Sequence, residues 1–499
     1  MKHALNRREF LALSASAVSA AAPSRPNILL LFSDQHNAGV MGCYGHRQVR
    51  TPNLDRLASE GIRFTRAYCQ DGVCMPSRTA LMTGQYCRTF GMMDNRGQPP
   101  QPERFTTIMR VLRSGGYRTA AFGKRHLPRA FDTDWDVSAA YQDQKQEPST
   151  EQCYRDWLRE HGQYENFMQD WMAEFGNQSP DSKAAPMASR ISALPPEYTM
   201  EAFTARKTIE FLRGAKRSGK PFFCWASFYR PHQPYTPQKQ YADQYPPESV
   251  SLPASLREPP QNLPPTFQSW RRNMRVPWCL GQAALDVNLY RQYVSYYYAL
   301  VAEIDHHIGA ILAALAEEGL AGNTLVLYTA DHGDFVAAHG MIEKCAAGHN
   351  VYEDTLHVPV LARFPGRFRK GCVASDLVEL VDIFPTLLDV SGVSKPAGYT
   401  LPGRSLVPTL ERGLPVGRRF AVSENWSQVA SIGPRYKLGA WLKPQKDGYG
   451  DMLFDRDTDP LEMGNLQGRP EGEEPEKELR AFLQEWTERT PRSTASATP

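Results

Sequence analysis

Asn-Ile-Leu-Leu-Leu-Phe-Ser-Asp, residues 27–34, opens the part of the chain that determines the fold. Its apolar residues are consecutive rather than alternating, and the run ends at Ser33 and Asp34. An uninterrupted apolar run this short is typical of a strand buried on both faces, as in a parallel sheet covered by helices. We therefore expect this run to form a central strand.

Strand and helix patterns alternate along the chain after this run. Strands are predicted at residues 119–122, 222–228 and 324–328, and helices at residues 52–60, 107–113 and 290–318. Alternation of this kind indicates an α/β domain whose large central sheet is mostly parallel and is flanked by helices. In such sheets the functional side chains gather beyond the carboxyl ends of the strands.

Acidic residues and histidines stand at two of these strand ends. Ser33-Asp34-Gln35-His36 follows the first strand, and Asp331-His332-Gly333-Asp334 follows the strand at residues 324–328. Carboxylates that arrive from two strand ends can converge on one divalent cation. A single aspartate in such a place often only caps a helix, but two pairs favour a metal site.

The pattern changes near residue 415, where short strands at residues 420–423 and 436–441 and a helix at 476–486 predict a smaller subdomain. We predict a catalytic domain at residues 24–414, an α+β subdomain with a small antiparallel sheet at 415–490, and a disordered tail at 491–499. Two polar, proline-rich stretches, residues 132–196 and 246–277, are interpreted as loops and insertions around the site.

Composition excludes several classes of protein. The chain has 499 residues, 41% hydrophobic and 22% charged, which predicts a sizeable core rather than global disorder. The net charge is only +3 and no basic stripe is visible, so a nucleic-acid partner is not expected. Nine scattered cysteines without a C-x-x-C pair argue against a disulfide scaffold or a zinc ribbon.

The N-terminus resembles a twin-arginine export signal. Asn-Arg-Arg-Glu-Phe-Leu at residues 6–11 precedes an alanine- and serine-rich run that ends near Ala22. Residues 1–23 are therefore predicted to be a signal peptide that delivers the folded protein to the periplasm or the exterior through the twin-arginine machinery. No later apolar run is expected to reach the ~20 residues of a membrane span.

The sharpest local motif is Cys74-Met75-Pro76-Ser77-Arg78, followed by small residues and Thr83-Gly84. This C-x-P-S-R pattern resembles the signature of formylglycine-dependent sulfatases, which belong to the alkaline phosphatase-like superfamily. The resemblance implies that a formylglycine-generating enzyme oxidises Cys74 to 3-oxoalanine. It further implies that one hydroxyl of the hydrated aldehyde attacks sulfur and that the other later expels sulfate.

Other segments resemble the family in the same order along the chain, up to the C-terminal segment at residues 451–466. The resemblance implies a divalent-cation site formed by Asp34, Gln35, Asp331 and His332. It implies that the catalytic residues are Cys74, Arg78, Lys124, His126, His232 and Lys344. His339 and His357 are interpreted as structural or substrate-facing.

The resemblance also implies a role for each catalytic residue. Arg78 and Lys124 would hold the hydrated aldehyde and help to ionise it. His232 would donate a proton to the departing alcohol, and Lys344 would bind the ester oxygens. His126 would accept a proton from the second hydroxyl so that sulfate can leave.

The substrate class is left open at one position. Many sulfatases have a second aspartate where this chain has Gln35, and the Gln-plus-His pattern resembles phosphonate monoester hydrolases and choline-sulfatase-like enzymes. Sulfate ester hydrolysis is favoured, with a sulfated carbohydrate as substrate, and a phosphonate monoester or phosphodiester hydrolase is the alternative. A non-catalytic anion-binding protein is the third interpretation. The oxygen-rich ligand set favours Ca²⁺, with Mg²⁺ or Mn²⁺ as alternatives.

Five tryptophans in the two proline-rich stretches or directly after them suit a rim that faces sugars: Trp135, Trp157, Trp171, Trp270 and Trp278. Aromatic side chains offer large flat surfaces for such contacts. This interpretation depends on their exposure, which the sequence alone does not give.

Overall fold

A computed structural model of the protein describes residues 25–95, 98–132, 134–141, 153–175, 190–256, 260–265, 268, 275–276, 279–280, 287–344, 351–425, 428–443, 449–490 and 492–493. The predicted signal peptide at residues 1–23 lies outside the described residues, as do Trp270, Trp278 and the end of the chain from residue 494.

The strands form one large sheet, one small sheet and one short ribbon. They are β1 (Asn27–Asp34), β2 (Ile62–Tyr68), β3 (Arg118–Lys124), β4 (Val137–Tyr141), β5 (Phe222–Pro231), β6 (Arg275–Val276), β7 (Cys279–Leu280), β8 (Thr324–Ala330), β9 (Val360–Arg363), β10 (Cys372–Glu379), β11 (Ala421–Asn425), β12 (Gln428–Ile432), β13 (Tyr436–Trp441) and β14 (Met452–Asp455). The eight strands of the large sheet lie in the order β10-β2-β9-β8-β1-β5-β3-β4.

The large sheet is mostly parallel, as the sequence predicted. β1 lies in its interior and pairs in parallel with β5 on one side and β8 on the other, so that Leu30 is opposite Trp225 and Leu327. Among the described strands of this sheet, β9 alone is antiparallel to its neighbours, β2 and β8. The carboxyl ends of β1, β3, β5 and β8 therefore meet at one edge.

The helices are α1 (Pro52–Ser59), α2 (Cys74–Thr83), α3 (Cys87–Phe90), α4 (Ile108–Ser114), α5 (Tyr154–Glu160), α6 (Tyr164–Phe175), α7 (Met200–Ser218), α8 (Lys239–Ala242), α9 (Val287–Glu317), α10 (Glu353–Leu356), α11 (Ile383–Ser391), α12 (Val407–Arg412) and α13 (Glu473–Arg489). Both faces of the large sheet are covered by them. Ile28, Leu30 and Phe32 pack in one apolar cluster with α2, α4 and α11. Leu29 and Leu31 pack in another with α1, α7 and α9. This two-sided burial explains the uninterrupted apolar run of β1.

Two expectations about residues 132–196 are wrong. The described part of this stretch is not only loop, because β4 joins the large sheet and α5 and α6 pack beside α7. Trp135, Trp157 and Trp171 are between 4% and 9% exposed and lie in the apolar clusters, so these three do not form a sugar-facing rim. Their rings fill the space between helices and sheet instead.

Helix α9 is long and apolar enough to cross a membrane by length and composition, contrary to the expectation that no later segment is. Its apolar window is 67% buried inside the protein. Burial of this kind is the pattern of a core helix, and α9 packs against α7, α1 and β5.

The C-terminal subdomain is an antiparallel sheet, β11 to β14, with α13 packed on it. Leu479, Leu483 and Trp486 of α13 are buried in a cluster that also contains Leu438 and Leu453 of the sheet. The structure therefore has the predicted fold class. The predicted boundary between residues 414 and 415 stays a prediction.

Candidate active site

The large sheet brings the chemically reactive side chains to one edge. Asp34 ends β1, Lys124 ends β3, His232 follows β5 and Asp331 follows β8. Cys74 is the first residue of α2, whose ten residues are all buried. These elements are far apart in sequence, and the parallel arrangement of the strands places their carboxyl ends together.

Cys74 lies at the centre of this group. It is 1% exposed, and its Sγ is 3.1 Å from Nε2 of His332 and 3.7 Å from Oδ1 of Asp34. The turn before it is fixed by Asp71, whose carboxylate accepts a hydrogen bond from the backbone N–H of Val73. The thiol is thus presented to the strand ends by the start of a rigid helix.

Four ligand atoms converge at this point, one each from Asp34, Cys74, Asp331 and His332, and all lie within 4.8 Å of one another. Nδ1 of His332 is 2.9 Å from the carbonyl oxygen of Gly333, so the tautomer with the proton on Nδ1 leaves the Nε2 lone pair for a metal ion. Two carboxylates and an imidazole fit a divalent cation. Oxidation of Cys74 would replace its sulfur with an oxygen ligand.

Arg78 holds the outer oxygens of both carboxylates, and Lys124 also holds that of Asp34. Arg78 contacts Oδ2 of Asp34 at 2.9 Å and Oδ2 of Asp331 at 2.7 Å, and Lys124 contacts Oδ2 of Asp34 at 2.6 Å. Burial would raise the pKa of Asp34, but Lys124 and Arg78 hold it well below its usual value. Both carboxylates are therefore oriented by cations, and Asp34 is kept ionised.

Lys344, Gln35 and His232 form a second group. Nζ of Lys344 donates to Oε1 of Gln35 at 2.8 Å and is 3.2 Å from Nε2 of His232. Burial, together with Lys344 and Lys124, lowers the pKa of His232 well below its usual value. Burial would lower the pKa of Lys344, but the acidic groups around it, Cys74 first, raise it. In this state Lys344 carries the proton and His232 accepts its hydrogen bond.

The remaining candidate histidines lie in different surroundings. His126 is half-buried just after β3, with φ 47°, two residues beyond Lys124. His339 is 1% exposed and its ring lies 4.4 Å from that of Tyr352. His357 lies beside Glu353 at 3.8 Å. His339 is thus part of the packed interior, which fits a structural role.

Several residues around the site were not singled out in the sequence. Tyr229 places its ring 4.6 Å from Nζ of Lys124, and Ser227 accepts a hydrogen bond from Arg78 at 3.0 Å. Asp334 accepts a hydrogen bond from Gln35 at 2.7 Å. Asp334 was visible in the Asp331-His332-Gly333-Asp334 segment, but its partner Gln35 is 299 residues away along the chain.

The fold is that of the alkaline phosphatase-like superfamily of hydrolases, and the four clustered ligand atoms form a possible metal site. The sulfatase family model matches residues 26–393, and the model of the C-terminal region of N-sulphoglucosamine sulphohydrolase matches residues 338–489. The chain therefore belongs to the sulfatase family. It is a sulfuric ester hydrolase, and its relatives include enzymes that act on sulfated carbohydrates.

Three similar proteins illustrate the range of this family. An N-acetylglucosamine-6-O-sulfatase of Bacteroides thetaiotaomicron is 27% identical, with 92% of this chain and 86% of that protein covered. An arylsulfatase of Clostridium perfringens is 29% identical, with 92% and 94% covered. The crystal structure of a phosphonate monoester hydrolase of Agrobacterium radiobacter superposes with a TM-score of 0.75 at 25% identity, with 94% of this chain and 96% of that chain covered.

Removal of the metal is expected to abolish turnover. Without a cation at the clustered ligand atoms, nothing there polarises the oxygens of a substrate anion, which lacks its main electrophile. An EDTA-treated, dialysed sample should be inactive and should recover with Ca²⁺, Mg²⁺ or Mn²⁺. The same ion should raise the unfolding free energy by about 2.7 kcal/mol at a hundredfold excess over its Kd. Full turnover in metal-free enzyme would contradict the site.

Gly333 is expected to tolerate no side chain. A Cβ there would overlap the carbonyl oxygen of Asp354, and the backbone N–H of Gly333 donates to the carbonyl of Thr355 at 2.8 Å. Gly333→Ala should therefore displace the neighbouring His332, with a loss of about 1–3 kcal/mol in unfolding free energy and about 10-fold or more in activity.

Gly322 is the matched control for this substitution, because nothing lies within 4 Å of a Cβ there. Gly322→Ala should change the unfolding free energy by no more than about 0.5 kcal/mol. Denaturant titration and initial rates on both variants make the comparison. Equal unfolding free energies and equal rates for the two variants would show that the close packing of Asp354 against Gly333 is not important for the site.

Proposed function

We propose that this enzyme hydrolyses sulfate esters of carbohydrates with a formylglycine made from Cys74 and a bound divalent cation. The observation that carries the proposal is the position of Cys74, whose sulfur shares one 4.8 Å cluster with Asp34, Asp331 and His332. A nucleophile next to a cation can attack an ester whose oxygens the same cation polarises. The C-x-P-S-R motif supports the conversion to formylglycine.

Two groups supply chemistry that the unmodified side chains lack. Asp34, Asp331, His332 and the residue at position 74 would hold the cation, which would polarise sulfate oxygens and lower the pKa of a nearby hydroxyl. Formylglycine, once hydrated, offers one hydroxyl for attack on sulfur and a second for expulsion of sulfate. Gln35 is a fifth candidate ligand through its amide oxygen, which keeps one lone pair beyond its hydrogen bond to Lys344.

The cations around position 74 stabilise the negative charge that develops during transfer. Arg78 and Lys124 orient Asp34 on its outer oxygen, and Lys344 lies beside Gln35 and His232. Preorganised charges in a water-poor site are the main source of catalysis in such transfers. His126 is proposed to accept the proton of the second hydroxyl when sulfate leaves.

Lys344 and His232 are proposed to protonate the departing alcohol as a pair. Nδ1 of His232 lies 3.0 Å from the carbonyl oxygen of Gln233, and Nε2 lies 3.2 Å from the Lys344 ammonium. The free enzyme keeps this proton on Lys344, and the negative charge that develops on a leaving oxygen at this place would favour its transfer through Nε2 to that oxygen. His232 thus keeps the donor role that the sequence suggested, with Lys344 as the source of the proton.

A sulfated amino sugar or a related sulfated saccharide is the proposed substrate. The support is the relatives, among them an N-acetylglucosamine-6-O-sulfatase and a protein named as an ulvan-active sulfatase. The twin-arginine-like segment at residues 6–11 supports export, after maturation by a formylglycine-generating enzyme, to a compartment where polysaccharides are met.

The test is sulfate release from a panel of monosaccharides. Matured enzyme is incubated with glucosamine 6-sulfate, N-sulfoglucosamine, a 2-sulfated uronic acid and an unsulfated control, and free sulfate is measured by ion chromatography. We expect one sugar and one position to exceed the others by about 10-fold or more, because a pocket that hydrogen-bonds a sugar hydroxyl rejects analogues that lack it. An aryl sulfate is measured beside them, and sulfate release from it but from none of the sugars would contradict a carbohydrate substrate.

A phosphonate monoester hydrolase is the second candidate, and Gln35 with His332 favours it together with the superposition on the Agrobacterium radiobacter enzyme. A sulfate monoester and a phosphonate monoester each carry one negative charge. The three cations Arg78, Lys124 and Lys344 therefore do not distinguish them by charge, and discrimination rests on the leaving group and its pocket.

A further inference from the structure

A buried carboxylate behind the proposed metal site is surrounded by donors. Asp334 is fully buried. One oxygen accepts from the hydroxyl of Tyr293 and from the backbone N–H of Val336 at 2.8 Å. The other accepts from Nε2 of Gln35 at 2.7 Å and lies 3.4 Å from the hydroxyl of Tyr235. Asp334 is not one of the four clustered ligands, and its contact with Gln35 links it to the side chains beside them.

Asp334 determines which way the amide of Gln35 points. A carboxylate can only accept, so the Gln35 group that faces it must be the NH₂ end. The oxygen end then faces Lys344, whose Nζ donates to it at 2.8 Å. With the opposite orientation, an amide oxygen would face a carboxylate and an NH₂ would face an ammonium. Both contacts would be repulsive.

A row of tyrosines on α9 holds the same segments. Tyr293 and Tyr297 are four residues apart and therefore lie on one helix face. The Tyr293 hydroxyl also accepts from the backbone N–H of Glu343 at 3.3 Å, next to Lys344. The Tyr297 hydroxyl donates to the carbonyl of Gln35 at 2.6 Å. Asp334 is thus connected to both sides of the Gln35–Lys344 contact by a rigid helix.

We propose that Asp334 is a positioning residue, which orients the Gln35 amide and thereby holds the Lys344 ammonium beside His232. A lysine side chain has several rotatable bonds, and without such a partner its ammonium would sample many positions. The inference rests on the proposed function, since it assigns Lys344 a role at the substrate. The proposal predicts that activity depends on which side chain donates and which accepts at the contact between residues 334 and 35, rather than on the identity of each residue.

A swap of the two side chains tests this directly. In Asp334→Asn the new NH₂ faces the NH₂ of Gln35, and in Gln35→Glu two carboxylates face each other at a contact that is now 2.7 Å. Each single variant should lose about 10- to 100-fold in kcat/KM on an aryl sulfate, the usual effect of removing an outer partner of a site. In the double variant the amide introduced at position 334 donates to the carboxylate introduced at position 35, which again accepts from Lys344.

The double variant should therefore be more active than either single variant, and its total charge equals that of the wild type. Two independent defects would instead add and make it the least active of the three. The proposal is overturned if the double variant is no more active than the better single variant. Thermal melting and metal content measured on all four proteins separate this pattern from unfolding or metal loss.

Two tyrosine variants provide a matched pair on the same helix. Tyr293→Phe removes one donor to Asp334 and should raise KM or lower kcat several-fold. Tyr298→Phe removes a hydroxyl that meets His46 at 3.1 Å, away from the site, and should retain wild-type rates. The preference of the wild-type enzyme between sulfate and phosphonate substrates tests the proposed function. The activity ratios among the variants, measured on either substrate, test the role of Asp334. The two proposals can therefore fail separately.

Discussion

Replacement of Cys74 with alanine is expected to abolish turnover while the fold is retained. The side chain is buried in the centre of the proposed ligand cluster, and no other described nucleophile shares that cluster. The expected loss is about 10⁴-fold or more, the scale seen when a covalent nucleophile is removed. Loss of one small buried side chain should cost only about 1 kcal/mol in unfolding free energy. Initial rates and denaturant titration provide both values.

Cys74→Ser and Cys224→Ala sharpen this result. A serine has one hydroxyl, so it can accept sulfate but lacks the second hydroxyl that would expel it, and at most one turnover is expected. Cys224 is an equally buried thiol in the middle of β5, and its alanine variant should keep its activity. Multiple turnovers by Cys74→Ala would overturn the assignment of the nucleophile.

Replacement of Arg78 is expected to have the largest effect on stability. Its guanidinium is 0% exposed and bonds to Asp34, Asp331, the Lys124 carbonyl and Ser227. Removal of one partner of a buried ion pair leaves a buried charge uncompensated, at a cost of about 3–5 kcal/mol. Arg78→Ala should lose that much unfolding free energy, measured in EDTA so that a bound cation does not compensate for the lost charge.

Arg78→Lys and Arg110→Ala are the comparisons for this loss. Lysine keeps the charge but cannot contact both carboxylates with a planar fork, so its loss should be intermediate. Arg110 pairs with Asp134 at 2.9 Å but is 44% exposed, and its alanine variant should lose no more than about 1 kcal/mol. Similar losses for Arg78→Ala and Arg110→Ala would contradict a structural role for the buried pair.

The sequence predicted the central strands well because each is buried on both faces and therefore reads as a continuous apolar run. β1, β5 and β8 were found for this reason. β9 was missed since four residues, Val360–Arg363, give too short a signal, and its direction depends on pairing with distant strands. α5 and α6 were missed because their polar and aromatic residues pack in a local cluster that no periodicity revealed.

The site was predictable to the extent that its residues stand in local motifs at strand ends. Asp34, Cys74, Asp331 and His332 come together as the motifs suggested. Contacts between segments were not predictable. Lys344 reaches Gln35 across 309 residues, and Asp334 reaches it across 299. Such contacts depend on how α9 packs against the segments that follow β1 and β8, and local sequence does not encode that packing.

Sulfate ester hydrolysis is best tested by turnover of an aryl sulfate beside the matching aryl phosphonate monoester. The enzyme is coexpressed with a formylglycine-generating enzyme, and kcat/KM is measured for both substrates in the same buffer and metal. We expect a clear preference for the sulfate, and loss of turnover on both substrates in Cys74→Ala. A preference for the phosphonate would mean that Gln35 and His332 mark a phosphoryl-transfer enzyme, and the proposal of sulfate ester hydrolysis would be wrong.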